Sequence, residues 1–193
     1  MPATRQVIVW NLITLDGFFE GASSWDLDFH EYAWGEELQR FSQEQLDAAD
    51  LLLFGRVTYE GMANYWPSAK GETAERMNRI RKMVFSSTLD RAEWSNTTLV
   101  RDCVAGEVSR LKEQPGKDIL IIGSAALSAT LLESGFIDEY RLGLAPVVLG
   151  KGNPLFKPSS NTTAMELLEA RPLKSGCVLL RYRPERDRVR AER

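Results

Sequence analysis

Twice in this chain an unbroken apolar run of strand length stops at a glycine and restarts as a helix, and no other feature narrows the possible folds so far. The first run is Leu51-Leu-Leu-Phe54, ended by Gly55; the second is Ile119-Leu-Ile-Ile122, ended by Gly123. Runs without polar alternation suit strands covered on both faces, as in a parallel sheet flanked by helices. Beyond Gly55, Val57, Gly61 and Tyr65 share one helical face, and beyond Gly123 and Ser124 so do Leu127 and Leu131. The first turn of such a helix carries backbone N–H groups without helical partners, so each junction suits a phosphate or another anion. Arg56 and the Thr58 hydroxyl stand beside the first junction; the small residues Gly123, Ser124 and Ala125 let the second approach a phosphate closely. An ordinary β-to-α turn with a surface arginine would read the same at either place alone. Two such junctions in one short domain favour a nucleotide site.

The flanking segments agree. Residues 6–13 are rich in β-branched and aromatic side chains and read as a central strand. That strand runs into Thr14-Leu-Asp-Gly17, which puts Asp16 where open α/β sheets bind ligands, although an aspartate there also makes turns. Residues 18–35 lack a clean period and read as a long loop whose aromatics cover a pocket, anchor in the core or meet a partner subunit. Residues 36–49 form an amphipathic helix with Glu36 and Glu37 in its first turn, where acids suit the helix dipole.

Further helices are expected from Arg56 to the stop at Trp66-Pro67, over 72–80, after an Asp102 N-cap, and over 125–133. Strands are expected over 82–85, 97–101, 118–122, 137–146, 164–170 and 178–183, the last two joined about Lys174-Ser-Gly176. Ser86, Ser87 and Thr88 follow the 82–85 strand and can donate to phosphate or ribose, or simply form a turn. The expected architecture is a three-layer α/β/α domain over 1–183 whose central mixed, mostly parallel sheet is closed by a C-terminal antiparallel hairpin. The tail over 184–193, with four arginines, is expected to be disordered.

Composition limits the function. With 193 residues, 44% of them apolar, the chain fills one core. A net charge of −3 argues against nucleic acid or an anionic membrane as partner and leaves a small-molecule substrate. No apolar run approaches the ~20 residues that cross a bilayer, and the opening Met-Pro-Ala-Thr-Arg is unlike a signal peptide, so a cytoplasmic protein is expected. His30 is the sole histidine and Cys103 and Cys177 are far apart, which disfavours a His-based triad or a metal site and leaves the cysteines as reduced thiols.

Taken in order, these stretches resemble the dihydrofolate reductase superfamily, and within it the C-terminal reductase domain of the bifunctional riboflavin-biosynthesis enzyme. The matching pieces are Thr14-Leu-Asp-Gly17, Gly55-Arg-Val-Thr-Tyr-Glu60, Val84-Phe-Ser-Ser-Thr-Leu89, Ile121-Ile-Gly-Ser-Ala-Ala-Leu127, Gly135-Phe-Ile-Asp-Glu139 and Pro146-Val-Val-Leu-Gly-Lys-Gly152. The resemblance implies a homodimeric reductase that takes a hydride from NADPH. On that likeness Gly55, Arg56 and Thr58 hold cofactor phosphates, Ser86, Ser87 and Thr88 make the adenosine-side contacts, and Gly123, Ser124 and Ala125 form the pyrophosphate turn. Leu15 and Gly17 border the nicotinamide, while Asp16 matches the family's acidic position.

Glu37 is the candidate for a second catalytic acid, a helix N-terminal role being the alternative. Ser87-Thr88 stands where dihydrofolate reductases often carry an arginine, which leaves NADPH against NADH open. No zinc-deaminase signature is present. A nucleotide- or pterin-binding dimer that keeps the fold without turnover is the alternative function.

Overall fold

All eight residues of β1 (Val7–Thr14) are buried, because the strand lies inside the sheet with helices on both sides. The computed structural model describes residues 5–159 and 162–185. After β1 come β2 (Phe18–Glu20), α1 (Glu36–Ala48), β3 (Ala49–Gly55), α2 (Arg56–Tyr65) and α3 (Glu72–Arg79). Then follow β4 (Arg81–Phe85), β5 (Thr97–Val100), α4 (Val104–Glu113), β6 (Asp118–Ile122) and α5 (Ala125–Glu133). The chain ends with β7 (Glu139–Ala145), β8 (Asn153–Pro154), β9 (Met165–Pro172) and β10 (Val178–Pro184). The main sheet has the order β5-β4-β3-β6-β1-β7-β10-β9. Its strands from β5 to β7 pair in parallel, and β10 runs antiparallel to both β7 and β9, giving the expected mixed sheet with a closing hairpin.

The apolar runs are unbroken because each face of the sheet has its own core. Leu52 and Phe54 join Leu38 and Phe41 of α1, Tyr59 and Met62 of α2 and Met77 of α3 on one side. Leu51 and Leu53 join Val108 and Leu111 of α4 and Leu127 and Leu131 of α5 on the other. Full burial of one such side chain stabilises the fold by about 1.5–3 kcal/mol.

Three local expectations need correction. The 18–35 segment is not all loop: β2 pairs with β8, and Asp28–Tyr32 forms a 3-10 turn that drops Phe29 into the core. Asp102 does not cap α4; Cys103 takes the N-cap position with a left-handed φ of 51° and no side-chain cap bond. Pro184 completes β10 and the Glu185 N–H bonds the Ala164 carbonyl at 2.9 Å, so order extends past 183; the rest of the expected disordered tail lies outside the described residues. Among the described residues no helix is long and apolar enough to cross a membrane.

Candidate functional site

The strand order sets the carboxyl ends of β4, β3, β6, β1 and β7 side by side. Ser86, Arg56, Gly123 and Leu15 therefore leave the sheet along one edge, and the two sequence junctions become neighbours. Side-chain bonds tie them together. The Gly55 N–H donates to Ser124 Oγ (2.9 Å), the Ser124 N–H to Thr58 Oγ1 (3.0 Å), and the Gly123 N–H to Asn11 Oδ1 (2.8 Å). Gly123 and Ser124 both have left-handed φ, 68° and 57°, and a Cβ on residue 123 would come within 2.9 Å of Thr58 Cγ2.

This geometry revises how the junctions could hold an anion. The N–H groups of Gly55, Gly123 and Ser124 are already spent on knitting the turns together. The donors left for a phosphate are the first-turn N–H groups of α2 and α5, Ala125 among them, which have no helical acceptor. Thr58 Oγ1 serves the tie as acceptor, and its own proton remains to donate. At Gly55 the backbone is extended and a Cβ would approach no nearer than 3.8 Å to Ser124 Oγ, so nothing internal demands glycine there.

Arg56 is exposed at the start of α2 and pairs with Glu60 one turn on, at 2.9 Å. Ser86 Oγ accepts from the N–H groups of Thr88 (3.2 Å) and Leu89 (2.9 Å), shaping a turn that leaves Ser87 and Thr88 outward. A cation missed in the sequence reading lies over the same turn. Arg101, directly after β5, reaches the carbonyls of Asp90 (3.0 Å) and Ser87 (3.5 Å). Parallel pairing of β5 beside β4 brings it there, and the sequence offered only a lone arginine at a strand end. Asn11 was missed too: β1 outruns β6 by four residues, which sets Asn11 beside Gly123.

On the β1 side, the Leu15 N–H bonds the Val147 carbonyl (2.9 Å) with its side chain outward, and Gly17 turns the chain at φ 86°. Asp16 is held by its neighbours. Oδ1 accepts from Thr14 Oγ1 (2.6 Å) and the Leu149 N–H (3.3 Å), and Oδ2 from the Gly150 N–H (2.7 Å). The Thr14 hydroxyl, opposed by slight desolvation and helped by the two N–H groups, lowers its carboxyl below the usual range. Such a carboxylate fixes the 146–150 segment and is a poor proton donor.

Glu37 sits across the edge, where Oε2 accepts from the Lys174 N–H (2.8 Å) and joins α1 to the β9–β10 turn. Both candidate acids are thus bonded to backbone, on different segments. His30 packs edge-on against Phe29 at 4.7 Å, and burial pushes it down to about 4, so it is neutral at pH 7.

Residues 21–26 pack as a strap against α2. They are rooted at Glu20, whose Oε1 accepts from the Trp25 N–H (2.5 Å) and whose Oε2 accepts from Asn153 Nδ2 (2.9 Å). Trp25, at φ 66°, lays its ring on α2: a Cβ on Gly61 would fall 2.3 Å from Trp25 Cε3.

A mixed sheet of this strand order with helices on both faces is a dihydrofolate reductase-like fold. The chain belongs to the RibD C-terminal domain family, whose model matches residues 5–179. It is 30% identical to the uncharacterized protein YyaP of Bacillus subtilis (strain 168), with 92% of this chain and 94% of that protein covered. In fold it is similar to a crystal structure from Shewanella sp. PV-4 named for riboflavin biosynthesis, with a TM-score of 0.78, 18% identity and 94% and 99% of the two chains covered. It is likewise similar to dihydrofolate reductase of Enterococcus faecalis in complex with NADP(H), with a TM-score of 0.62, 14% identity and 93% and 96% covered.

Proposed function

We propose that the chain is an NADPH-dependent reductase that transfers a hydride to a small heterocyclic or carbonyl/imine substrate, pterin- or pyrimidine-like in character. The observation that carries this reading is the row of carboxyl ends, a knitted edge along which the first turns of α2 and α5, Arg56 and Arg101 are placed. Arg56 and the first turns of α2 and α5 suit the phosphates. Gly55 leaves room for close approach by a ligand, and Arg101 beside Ser87 and Thr88 suits the extra phosphate that separates NADPH from NADH. Bound cofactor would supply the hydride. The chain's own part is to orient the ring beside Leu15 and Gly17, with Asp16 holding the adjoining segment in place.

Replacing Arg101 by Ala removes a charge-assisted contact worth about 1.5–3 kcal/mol, so NADPH affinity should fall by roughly 10- to 150-fold while NADH affinity changes little. Arg56→Ala should weaken both cofactors. Titration of either cofactor by its fluorescence reads both effects, and no binding at micromolar protein would sink the reading.

A second reading, a nucleotide- or pterin-binding protein without turnover, is favoured by the engagement of Asp16 and Glu37 with backbone N–H groups. Binding of NADPH without its oxidation by any dihydropterin, aminopyrimidine or quinone offered would select it. A homodimer belongs to either reading, built on exposed Tyr32, Trp34 and Val148, and light scattering tests it.

A further inference from the structure

Lys82, the second residue of β4, is 1% exposed. Among the described residues no carboxylate lies within ion-pair distance of its Nζ. The ammonium instead donates to the carbonyls of Ile80 (2.7 Å), Met77 (2.8 Å) and Asn78 (3.2 Å), at the C-terminal end of α3, where helical N–H partners run out. It also stands 4.4 Å from the centre of the Trp94 ring. Three donors meet three acceptors and a π face, so the cation is fully engaged.

Trp94 passes this arrangement on. Its backbone N–H donates to the Tyr59 hydroxyl (2.9 Å) and its Nε1 to Asn78 Oδ1 (2.7 Å). Tyr59 follows Thr58 on α2, and the segment that ends at Trp94 begins with the Ser86 turn. Lys82 therefore lies at the common root of two walls of the candidate site: the helix that carries Arg56 and Thr58, and the turn that carries Ser86, Ser87 and Thr88.

We propose that the Lys82 ammonium is a positioning residue for the cofactor site, holding α2 and the 86–94 segment in register through Trp94. The proposal rests on the reductase reading for its binding measurement only. A buried ammonium without a counter-ion costs several kcal/mol of desolvation, and a methionine would fill the same space without that cost. The lysine is then explained by the geometry it imposes on three carbonyls and an indole.

Burial lowers the Lys82 pKa from 10.5 to about 8, so the charge is lost just above neutrality. Besides Arg56, Glu60 and Tyr65 on α2, Glu72, Glu75 and Arg76 on α3, and Asp90 and Arg91 in the 86–94 segment, the ionisable residues at or next in sequence to the groups that Lys82 and Trp94 contact are Tyr59, Arg79, Arg81 and Glu93. The three charged ones are exposed, and Glu93 pairs with Arg91 at 2.6 Å. From the neighbouring strands Leu52 and Thr97 flank Lys82 in register, and the Thr97 hydroxyl is buried without a partner.

The test follows tryptophan emission and NADPH affinity over roughly pH 6.5 to 9.5, spanning the titration. The wild type should show an emission step centred near pH 8 that is missing from Lys82→Met and from Trp94→Phe. Its NADPH affinity should fall about tenfold across the same window, the size of a modest network coupling. Lys82→Met should bind weakly and without a step, and Lys82→Arg, which keeps its charge, should bind as the wild type does at pH 7 and hold that affinity at pH 9. A flat wild-type emission profile, or unchanged NADPH affinity in Lys82→Met, would overturn the proposal. Failure of the wild type to bind NADPH would instead overturn the reductase reading, with the emission step still deciding whether Lys82 acts on Trp94. The wild-type profile decides this even where a variant does not fold.

Discussion

The residues that organise the candidate edge are small or polar side chains doing backbone work: Asn11, Thr58 and Ser124 each accept one N–H that would otherwise be buried and orphaned. Of the glycines at the edge, Gly17, Gly55 and Gly123, only Gly123 combines a positive φ with a close contact. Its positive φ and the 2.9 Å approach to Thr58 both disfavour a Cβ, so Gly123→Ala should destabilise the fold by ~1–3 kcal/mol and weaken NADPH binding, as read by urea unfolding and titration. Lys82 makes a prediction of opposite flavour. Its folded pKa, about 8, lies below the unfolded 10.5, so between those values the unfolded chain binds more protons and stability rises with pH. Urea unfolding of wild type against Lys82→Met should show the wild type gaining on the variant from pH 8 to pH 10, while site order declines over the same range. A difference that stays constant with pH would mean the amine does not titrate there. At this scale the sequence exposed Arg56 and Gly123 because type and spacing marked them. It hid Asn11, Arg101 and Lys82, whose roles come from neighbours distant in the chain.

Among elements, the strand–Gly–helix junctions were legible because covered parallel strands must be apolar throughout and a glycine marks where each run stops. Loop architecture was not. The 18–35 segment has no period, and its order comes from the β2–β8 pair, from Glu20 and Asn153, and from Trp25 resting on Gly61. Helix ends were equally opaque where a backbone conformation took over from a cap: Cys103 enters left-handed conformation and leaves Asp102 outside. The strap makes a clear prediction. The nearest atoms that a Cβ at residue 61 meets all belong to the Trp25 ring, so Gly61→Ala should displace residues 21–26 and leave α2 in place. Acrylamide quenching of Trp25, isolated by comparison with Trp25→Phe, should increase, with the unfolding free energy within about 1 kcal/mol of wild type. Unchanged quenching would show that the ring yields without the strap moving.

The whole molecule explains why separate sequence signals become one site. A parallel order of β4-β3-β6-β1 aligns four carboxyl ends, and the β10–β9 hairpin closes the far side without covering them. The fold class followed from the pattern of elements, but strand order did not, since apolar runs carry no record of their neighbours; the junctions could not be placed side by side from sequence. A ligand seated there would touch segments from β1, α2, the β4–β5 connection and α5, and so would resist global unfolding more than fraying of any one element. Binding to the folded chain alone stabilises by about 2.7 kcal/mol at a hundredfold excess over Kd, which for a domain of this size raises Tm by roughly 5–10 °C. NADPH should give that shift in scanning calorimetry. At the same NADPH concentration Arg56→Ala and Arg101→Ala should shift less, because each has lost affinity, and with NADH Arg101→Ala should match the wild type. A shift that is equal for NADPH and NADH in the wild type would remove Arg101 from the cofactor site, and no shift with either would remove the dinucleotide from this edge.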